Sequence, residues 1–347
     1  MENTIKNPGE DYWTPEDIDK ALEPATFPEA NLDEDRPYLT PWQMIARRFL
    51  RNKLAIMGLI ALAVMFIFCY IFPFFYPYNE TEIFYADKVT GQELRIFEIS
   101  NAGDALLNRL QPPSAAHWLG TNEMGQDMLA RLMFGGRISL MVGFVVILVE
   151  LVIGIALGGI AGYYGGIIDG IIMRVVDIIS CLPFIPLMLI ISAVLLLFNI
   201  SPRDKIFYTM FLLGGLQWVG VCRMIRGNVL SLRESEFMQA ATATGIRTRS
   251  KIFRHLVPNT LTNIVVRATL DLGIVILLES TLSFLGVGVG APWASWGNMV
   301  SSVNDRLIMK DYLNIWVAPG LCILITVMAF NFVGDGLRDA TDPKMKR

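Results

Sequence analysis

The sequence has very little of what soluble enzymes use for catalysis. It contains two histidines in 347 residues, His117 and His255, so it has no HExxH pair and too few imidazoles for most histidine metal sites. It also lacks the GxxxxGK[ST] phosphate loop and the GxSxG elbow of hydrolases. We therefore expect a chain that does not hydrolyse nucleotides by itself, is not an enzyme, and has no catalytic, cofactor-binding or metal-binding residues and no nucleic-acid partner.

Cysteine and charge are also scarce. The four cysteines lie in or beside apolar runs, and none forms a CxxC pair, so they are predicted to be small hydrophobic residues rather than disulfide or metal ligands. Charged residues make up 18% of the chain and hydrophobic residues 53%, whereas a soluble domain has about 25% charged residues. The composition favours a membrane protein.

The sequence is instead rich in long apolar runs. A helix needs about 20 apolar residues to cross a bilayer, and six runs approach or exceed this length: 54–75, 138–162, 170–198, 206–222, 262–287 and 315–334. The predicted fold class is an all-α membrane protein with six transmembrane helices. The third run contains Leu182-Pro183-Phe184-Ile185-Pro186, which predicts a kink.

Basic residues predict the orientation of these spans. Arg47, Arg48, Arg51 and Lys53 precede the first span, which places the N-terminus in the cytoplasm. Alternation then places 223–261 and the C-terminus inside, and both segments are rich in arginine and lysine. Arg203 and Lys205, on the predicted outer side, are a minor exception.

The chain divides into three predicted segments. Residues 1–40 form an acidic tail, predicted to be cytoplasmic and disordered, although a regulatory or docking role stays open. Residues 41–137 hold the first span and a long extracellular loop, and 138–347 hold a five-helix transmembrane core that includes a basic loop at 231–259. The first apolar run begins only near Leu54, so we expect no cleaved signal peptide.

The stretch 236–259, EFMQAATATGIRTRSKIFRHLVPN, is unlike a membrane span. As a helix it places Phe237, Ala240, Ala241 and Thr244 on one face with small side chains, and Gly245 fits the position after a helix end. A second short helix is predicted over 250–255, with a proline before the next span. From these residues alone, either a docking knob or a helix lying on lipid headgroups is possible.

The same stretch resembles the cytoplasmic EAA loop of ABC-importer permeases. The resemblance falls on Gln239-Ala240-Ala241, Gly245 and Pro258; Gln239 replaces the general glutamate and His255 the usual isoleucine, as in the dipeptide/oligopeptide branch. Similar motifs occur, in order, at 117–127, 136–139, 279–286, 294–298 and 330–340, with Asp342-Pro343 following. Trp118 and Gln126 depart from the branch pattern. The chain thus resembles a C-type permease subunit of a peptide importer over roughly 40–345.

This resemblance implies a type I importer fold in a bacterial plasma membrane. It implies a homologous B-type permease, two ATPase subunits and an extracellular or periplasmic peptide-binding protein as partners, with ATP and magnesium used by the ATPases and no cofactor on this chain. The implied ATPase-docking residues are Glu236, Gln239, Ala240, Ala241, Gly245, Arg247 and Arg249. A nickel or metal-chelate importer is the alternative cargo class.

Charged residues inside the spans form a second set of candidates. Glu150, Asp177, Asp271 and Glu279 are costly in lipid and should face the bundle or an aqueous path. Asp271 has Arg267 four residues away, and Asp177 has Arg174 one turn away. Glu279 has no evident partner in its own segment, which makes it the main candidate for lining the path. Asp177 is the second predicted path residue. An ion-coupled secondary transporter using these carboxylates is the rival function.

Two further features concern packing and the outer side. Gly154, Gly158 and Gly162 recur every four residues, which predicts close helix packing. The long loop 76–137 is expected to contact the binding protein or cap the pore, and to end in an amphipathic helix. Trp293 and Trp296 are interpreted as membrane-interface anchors or partner contacts.

Overall fold

The computed structural model describes residues 40–87, 93–95, 105–198 and 200–341. The predicted acidic tail up to residue 39 and the Asp342-Pro343 end of the last motif lie outside the described residues. The described residues from Ile45 onward form one compact unit. Most of the described chain is helical, which confirms the predicted all-α class.

The helices alternate long membrane-length elements with short connecting ones. Their bounds are α1 Pro41–Phe49, α2 Lys53–Phe66, α3 Met128–Tyr164, α4 Gly166–Cys181, α5 Phe184–Leu197, α6 Pro202–Arg233, α7 Glu236–Ala243, α8 Thr248–Ser250, α9 Val257–Asn259, α10 Leu261–Phe284, α11 Trp296–Val300, α12 Arg306–Asp311 and α13 Leu313–Thr341. Helix α2 continues through a π turn, Ile67–Ile71, and a 3₁₀ turn, Phe72–Phe74. A second π turn, Lys251–Leu256, joins α8 to α9, and a 3₁₀ turn, Ser301–Asn304, follows α11.

Six membrane spans emerge from these helices. Five single helices are long and apolar enough to cross a bilayer: Lys53–Phe74, Met128–Tyr164, Asp204–Arg233, Leu261–Phe284 and Leu313–Thr341. The sixth consists of α4 and the first part of α5, bent by 83° at a short break. The predicted number of six is confirmed when this bent pair is counted as one span.

The predicted kink in the third span is in fact a break. Leu182 leaves α4 with an extended backbone, φ −74° and ψ 129°. Pro183 has no N–H to continue the helix, and its ring disfavours the helical conformation of the residue before it. Helix α5 therefore starts in a new direction at Phe184.

The second and fourth spans are longer than predicted. Helix α3 starts at Met128 rather than at 138, because the Asp127 carboxylate accepts a hydrogen bond from the Ala130 N–H at 2.7 Å and caps the helix. The predicted boundary between 137 and 138 falls inside this helix, and the division into segments stays a prediction. The fourth span runs on to Arg233 rather than ending at 222, so its last turns carry arginines.

Glycines bring α3 and α6 into close contact. A Cβ on Gly158 would lie 2.5 Å from the Cys222 carbonyl oxygen, and one on Gly162 would lie 2.8 Å from that of Arg226. A Cβ on Gly154 would lie 2.7 Å from Val221. The predicted small-residue face is confirmed, and its partner is α6.

The loop between the first and second spans, predicted to be extracellular and called the outer loop below, contains a small sheet that was not predicted. Three antiparallel strands, β1 Phe84–Asp87, β2 Glu93–Arg95 and β3 Ala105–Leu107, pair in the order β2-β1-β3. The strands have three or four residues each, which is too short for a clear alternating pattern to show in the sequence. The predicted amphipathic end of this loop is the first part of α3, where Leu129, Leu132 and Met133 are buried.

Candidate functional site

The loop between α6 and α10 begins with a tight turn. Helix α6 ends at Arg233, and Ser235 occupies the N-cap position of α7, with its hydroxyl donating to the Leu232 carbonyl at 2.5 Å. Glu236 follows in the first turn of α7, where a carboxylate interacts favourably with the helix dipole. The predicted helix over 236–245 is confirmed as Glu236–Ala243.

One side of α7 packs against its own chain. Met238 and Ala241 are buried in a cluster with Val221, Ile225 and Val229 of α6. The interpretation of Phe237, Ala240, Ala241 and Thr244 as one free face was therefore wrong at Ala241. Met238 and Ala241 are three residues apart, so they share the face that α6 covers.

The other side of α7 is exposed. Glu236, Phe237, Gln239 and Ala240 are all accessible to solvent, and the Gln239 amide donates to the Glu234 carbonyl at 3.3 Å. The aromatic ring of Phe237 is 42% exposed. The sequence placed Phe237 on the same helix face as Ala240, but Phe237 was not among the predicted docking residues.

Gly245 ends α7 through a Schellman motif. Its φ is +71°, the Ile246 N–H donates to the Ala241 carbonyl at 3.2 Å, and the Gly245 N–H donates to that of Thr242 at 3.1 Å. The left-handed conformation is costly for a residue with a Cβ. The prediction that Gly245 stops the helix is confirmed.

The second half of the loop is held by a buried lysine. Lys251 is 6% exposed, and its ammonium donates to the Thr242 hydroxyl of α7 at 3.0 Å. The helical turns run over Thr248–Ser250, Lys251–Leu256 and Val257–Asn259, so the predicted element 250–255 was too short. Arg247 and Arg249 are exposed on the outside of this turn.

We call seven exposed residues of this loop, the predicted docking residues without Ala241 and with Phe237 added, the docking surface: Glu236, Phe237, Gln239, Ala240, Gly245, Arg247 and Arg249. Two arginines of α6 connect the base of the loop to the turn between α3 and α4. Arg226 binds both carboxylate oxygens of Asp169, at 2.5 and 2.6 Å, and Arg233 donates to the Tyr163 carbonyl at 3.1 Å. Bidentate arginine–carboxylate pairs combine strength with defined geometry, so movement of the loop should be transmitted to α3 and α4.

The two predicted path residues have different hydrogen-bond and ion-pair partners from those expected. Asp177 is bound by Arg223 of α6 at 2.9 Å, not by Arg174, because α6 rather than the next turn of α4 provides the nearest guanidinium. Glu279 is 2% exposed and accepts hydrogen bonds from Ser283 at 2.7 Å and Ser139 at 3.0 Å. The expectation that Glu279 lacks a partner in its own segment was wrong, and its carboxylate joins α10 to α3.

A different set of charged residues lines a cavity of about 290 Å³ among the spans. The predicted pair is confirmed there: Arg267 Nε donates to Asp271 at 2.5 Å, and both line the cavity with Glu150 and Gln217. The remaining wall comes mainly from the break between α4 and α5 and from the facing turns of α6 and α10: Ile179, Ser180, Leu182, Phe184, Leu187, Leu216, Val219, Gly220, Ile274 and Val275.

Comparison with known families decides what kind of protein carries this loop and cavity. Residues 154–347 match the model of the binding-protein-dependent transport system inner membrane component. Residues 40–113 match the N-terminal transmembrane domain of oligopeptide transport permease C. The first match covers more than half of the chain. The chain belongs to the binding-protein-dependent permease family. It is therefore a multi-pass permease component of a bacterial inner-membrane ABC importer, not an enzyme.

Several curated permeases are similar over nearly the whole chain. The dipeptide transport system permease protein DppC of Bacillus subtilis is 36% identical over 322 residues, covering 92% of each chain. The oligopeptide transport system permease protein OppC of Haemophilus influenzae is 37% identical, covering 87% of this chain and 88% of its own. The DppC protein of Alkalihalophilus pseudofirmus is 37% identical, covering 93% and 97%.

The outer loop of the permease is organised around a buried histidine. His117 is 3% exposed; its Nδ1 lies 2.7 Å from Asp127 and its Nε2 lies 2.6 Å from Glu93. The Tyr76 hydroxyl donates to the same Asp127 carboxylate. Burial lowers the pKa of His117, but the hydrogen bonds and charges of Asp127 and Glu93 outweigh it and raise the pKa above its usual value.

Of the two tryptophans in the last predicted outer loop, Trp296 differs from the prediction. Trp296 is fully buried, and its indole N–H donates to the Leu132 carbonyl of α3 at 2.9 Å. Trp293 is partly buried against the main hydrophobic core. Trp296 is therefore neither an interface anchor nor a partner contact, because it fills the space beside Gly136 of the permease.

Proposed function

We propose that the chain is the C-type permease subunit of an ATP-driven importer of dipeptides or oligopeptides. The similar proteins named above are dipeptide and oligopeptide permeases, and the similarity covers nearly their whole length. The same names do not favour the nickel or metal-chelate alternative. Membership of a binding-protein-dependent family also disfavours an ion-coupled secondary transporter.

The observation that carries the mechanism is the docking surface on a braced loop. Met238 and Ala241 anchor α7 on α6, Lys251 ties the second half of the loop to α7, and Arg226 joins α6 to Asp169. A protein partner that pushes on α7 would therefore move α6, and through the glycine face α3, as one body. Alternating access requires such a switch between discrete arrangements of packed helices.

The partners follow from this role. The docking surface would sit in a cleft of one of two ATPase subunits, which bind ATP and magnesium, while this chain binds neither. A homologous B-type permease would complete the pore, and an extracellular or periplasmic binding protein would deliver the peptide to the outer loop. The basic residues before the first span and along the loop support cytoplasmic N- and C-termini.

The test is transport by the purified assembly. We would co-express this chain with a partner permease, the ATPases and the binding protein from neighbouring genes, reconstitute it in liposomes, and measure uptake of labelled peptides. Uptake that requires both ATP and the binding protein is the expected result. Import of a nickel chelate instead would change only the cargo, whereas uptake driven by a proton gradient without ATPases would overturn the mechanism.

A further inference from the structure

The cavity among the spans lies halfway along the helices that line it. Gln217 is the fourteenth of the 30 residues in Asp204–Arg233, and Asp271 is the eleventh of the 24 in Leu261–Phe284. The α4–α5 break, where the third span changes direction, forms another wall. A charged cluster at this depth costs free energy, and such clusters usually mark the path of a substrate or an ion.

Arg267 is only partly used by the protein. Its Nε binds Asp271, its side chain is 43% exposed, and it makes no other hydrogen bond within the described residues. Its Nη2 lies over Gly220 of α6, where a Cβ would be 3.1 Å away, so the missing side chain leaves room for the guanidinium. The two Nη groups remain available to a ligand in the cavity.

The arrangement leaves donors of Arg267 for an anionic ligand. Asp271 is 7% exposed and binds only the Nε of the guanidinium. Glu150 is 2% exposed and lines the same cavity, but within the described residues it makes no hydrogen bond to Arg267. A guanidinium bound in this way can bind a further carboxylate with its remaining donors.

We propose that Arg267 binds the C-terminal carboxylate of the peptide as it passes through this cavity, with Asp271 as a positioning residue. The proposal rests on the proposed peptide-import function. A carboxylate terminus is common to peptides of any sequence, so a site for it needs no side-chain specificity. The volume of about 290 Å³ is at the small end of ligand pockets, roughly 300–1,000 Å³, and fits the end of a peptide.

The experiment compares three forms of one peptide that the wild-type assembly imports: the free acid, the C-terminal amide and the N-acetylated acid. Uptake is measured in liposomes with the complete transporter carrying wild-type chain, Arg267→Gln, or Arg267→Gln with Asp271→Asn. The double variant also removes the Asp271 charge that would lose its partner, so it keeps the test valid if the single variant folds poorly. Arg174→Gln on α4, an exposed residue outside the cavity, is the matched control.

Loss of one charged hydrogen-bond partner should lower uptake of both acid forms about tenfold or more. Uptake of the amide should change less than about twofold, and the control should resemble wild type with all three forms. The preference of the binding protein cancels, because each variant is compared with wild type for the same form.

Equal losses for acid and amide would show a structural role for Arg267, and unchanged uptake would show no role; either overturns the inference while peptide import stands. A loss that disappears on acetylation rather than amidation would assign the cluster to the ammonium end and also overturn it. If the wild type imports no peptide in any form, the proposed function itself fails and the inference falls with it.

Discussion

At the scale of single residues, the shape of the docking surface depends most on Gly245. Its φ of +71° and the two hydrogen bonds of the Schellman motif turn the chain between α7 and the basic segment that carries Arg247 and Arg249. No atom lies within 4 Å of a Cβ placed there. Any effect of a substitution therefore arises from backbone strain or from a partner, not from a clash within this chain.

We expect Gly245→Val to abolish uptake while the protein still reaches the membrane. A left-handed conformation costs roughly 1–2 kcal/mol for an ordinary L-residue, and valine also adds bulk where the ATPase should approach. Gly245→Asn should retain more uptake, because asparagine tolerates this conformation. An immunoblot of the membrane fraction measures whether the protein reaches the membrane, and uptake in liposomes measures transport. Normal uptake by the valine variant would contradict docking at this loop.

Ala240 and Ala241 are neighbours with opposite surroundings. Ala240 is exposed on the docking surface, whereas Ala241 is 8% exposed in the cluster formed with α6. A substitution by glutamate at each position separates docking from folding. Burying an unpaired carboxylate at Ala241 is unfavourable, while at Ala240 the charge stays in water until a partner covers it.

Ala241→Glu should therefore lower the thermal stability of the purified permease, and Ala240→Glu should not. Ala240→Glu should instead reduce co-purification of the ATPase subunits and their transport-coupled ATP hydrolysis. Thermal unfolding in detergent and quantification of bound ATPase check these outcomes. Full ATPase binding by Ala240→Glu would place the interface elsewhere.

At the scale of elements, the pairing of α3 with α6 connects the loop to the membrane core. The three glycines of α3 face carbonyl groups and branched side chains of α6 with no space for a Cβ. The Arg226–Asp169 pair closes the same unit at the turn after α3. The transmission of movement from the loop thus depends on backbone contact as well as on charge.

Gly158→Ala should destabilise the permease by about 1–3 kcal/mol, the usual cost of overpacking. Gly215→Ala is the control, since it lies within α6 and has no atom within 4 Å of the added Cβ. Both substitutions remove the same glycine entropy, so the difference between them reports the packing. Chemical or thermal unfolding of the two proteins measures it, and equal stability would contradict the close contact.

The outer loop should respond to pH through His117. Its folded-state pKa lies above the ordinary value of 6.5, so protonation stabilises the fold. That stabilisation is fully present below pH 6.5 and is lost as the pH rises through the folded-state value. Amide hydrogen exchange of the outer loop, corrected for intrinsic rates, should therefore speed up across this window.

His117→Gln is the control for this effect. Glutamine keeps polar contacts with Asp127 and Glu93 but does not titrate, so the pH dependence in that window should largely disappear. Tyr76, Tyr78 and Glu80 nearby remain in the variant, and the pKa of each is raised, chiefly by burial. The tyrosine pKa values lie above this window, so an unchanged pH profile in His117→Gln would assign the dependence to Glu80 instead.

At the scale of the whole molecule, orientation determines which partner meets which surface. The proposal places the docking surface in the cytoplasm and the outer loop on the opposite side. In a variant without the exposed Cys181, a cysteine at Arg247 should react with a membrane-impermeant maleimide only after the inner face is opened. A cysteine at the 59% exposed Trp118 should react in intact cells or spheroplasts, and the reverse pattern would invert the topology.

The fold class, the number of spans and the position of the loop could all be predicted from the sequence alone. Apolar length, basic flanks and the stop at Gly245 are local properties, readable along the chain because the bilayer and the helix each impose a fixed period or length. The Arg267–Asp271 pair was also predictable, since residues four apart on a helix are neighbours. The motif resemblance correctly predicted the permease family.

Which helices face one another follows only from the three-dimensional packing of the chain. The burial of Ala241 against α6, the Asp177–Arg223 pair and the contact of Glu279 with Ser139 all join residues distant in sequence. The small outer sheet and the cavity around Arg267 have the same origin. In a six-span protein almost every helix is apolar on several sides, so hydropathy marks a helix as membrane-spanning but does not specify which of its faces meets protein.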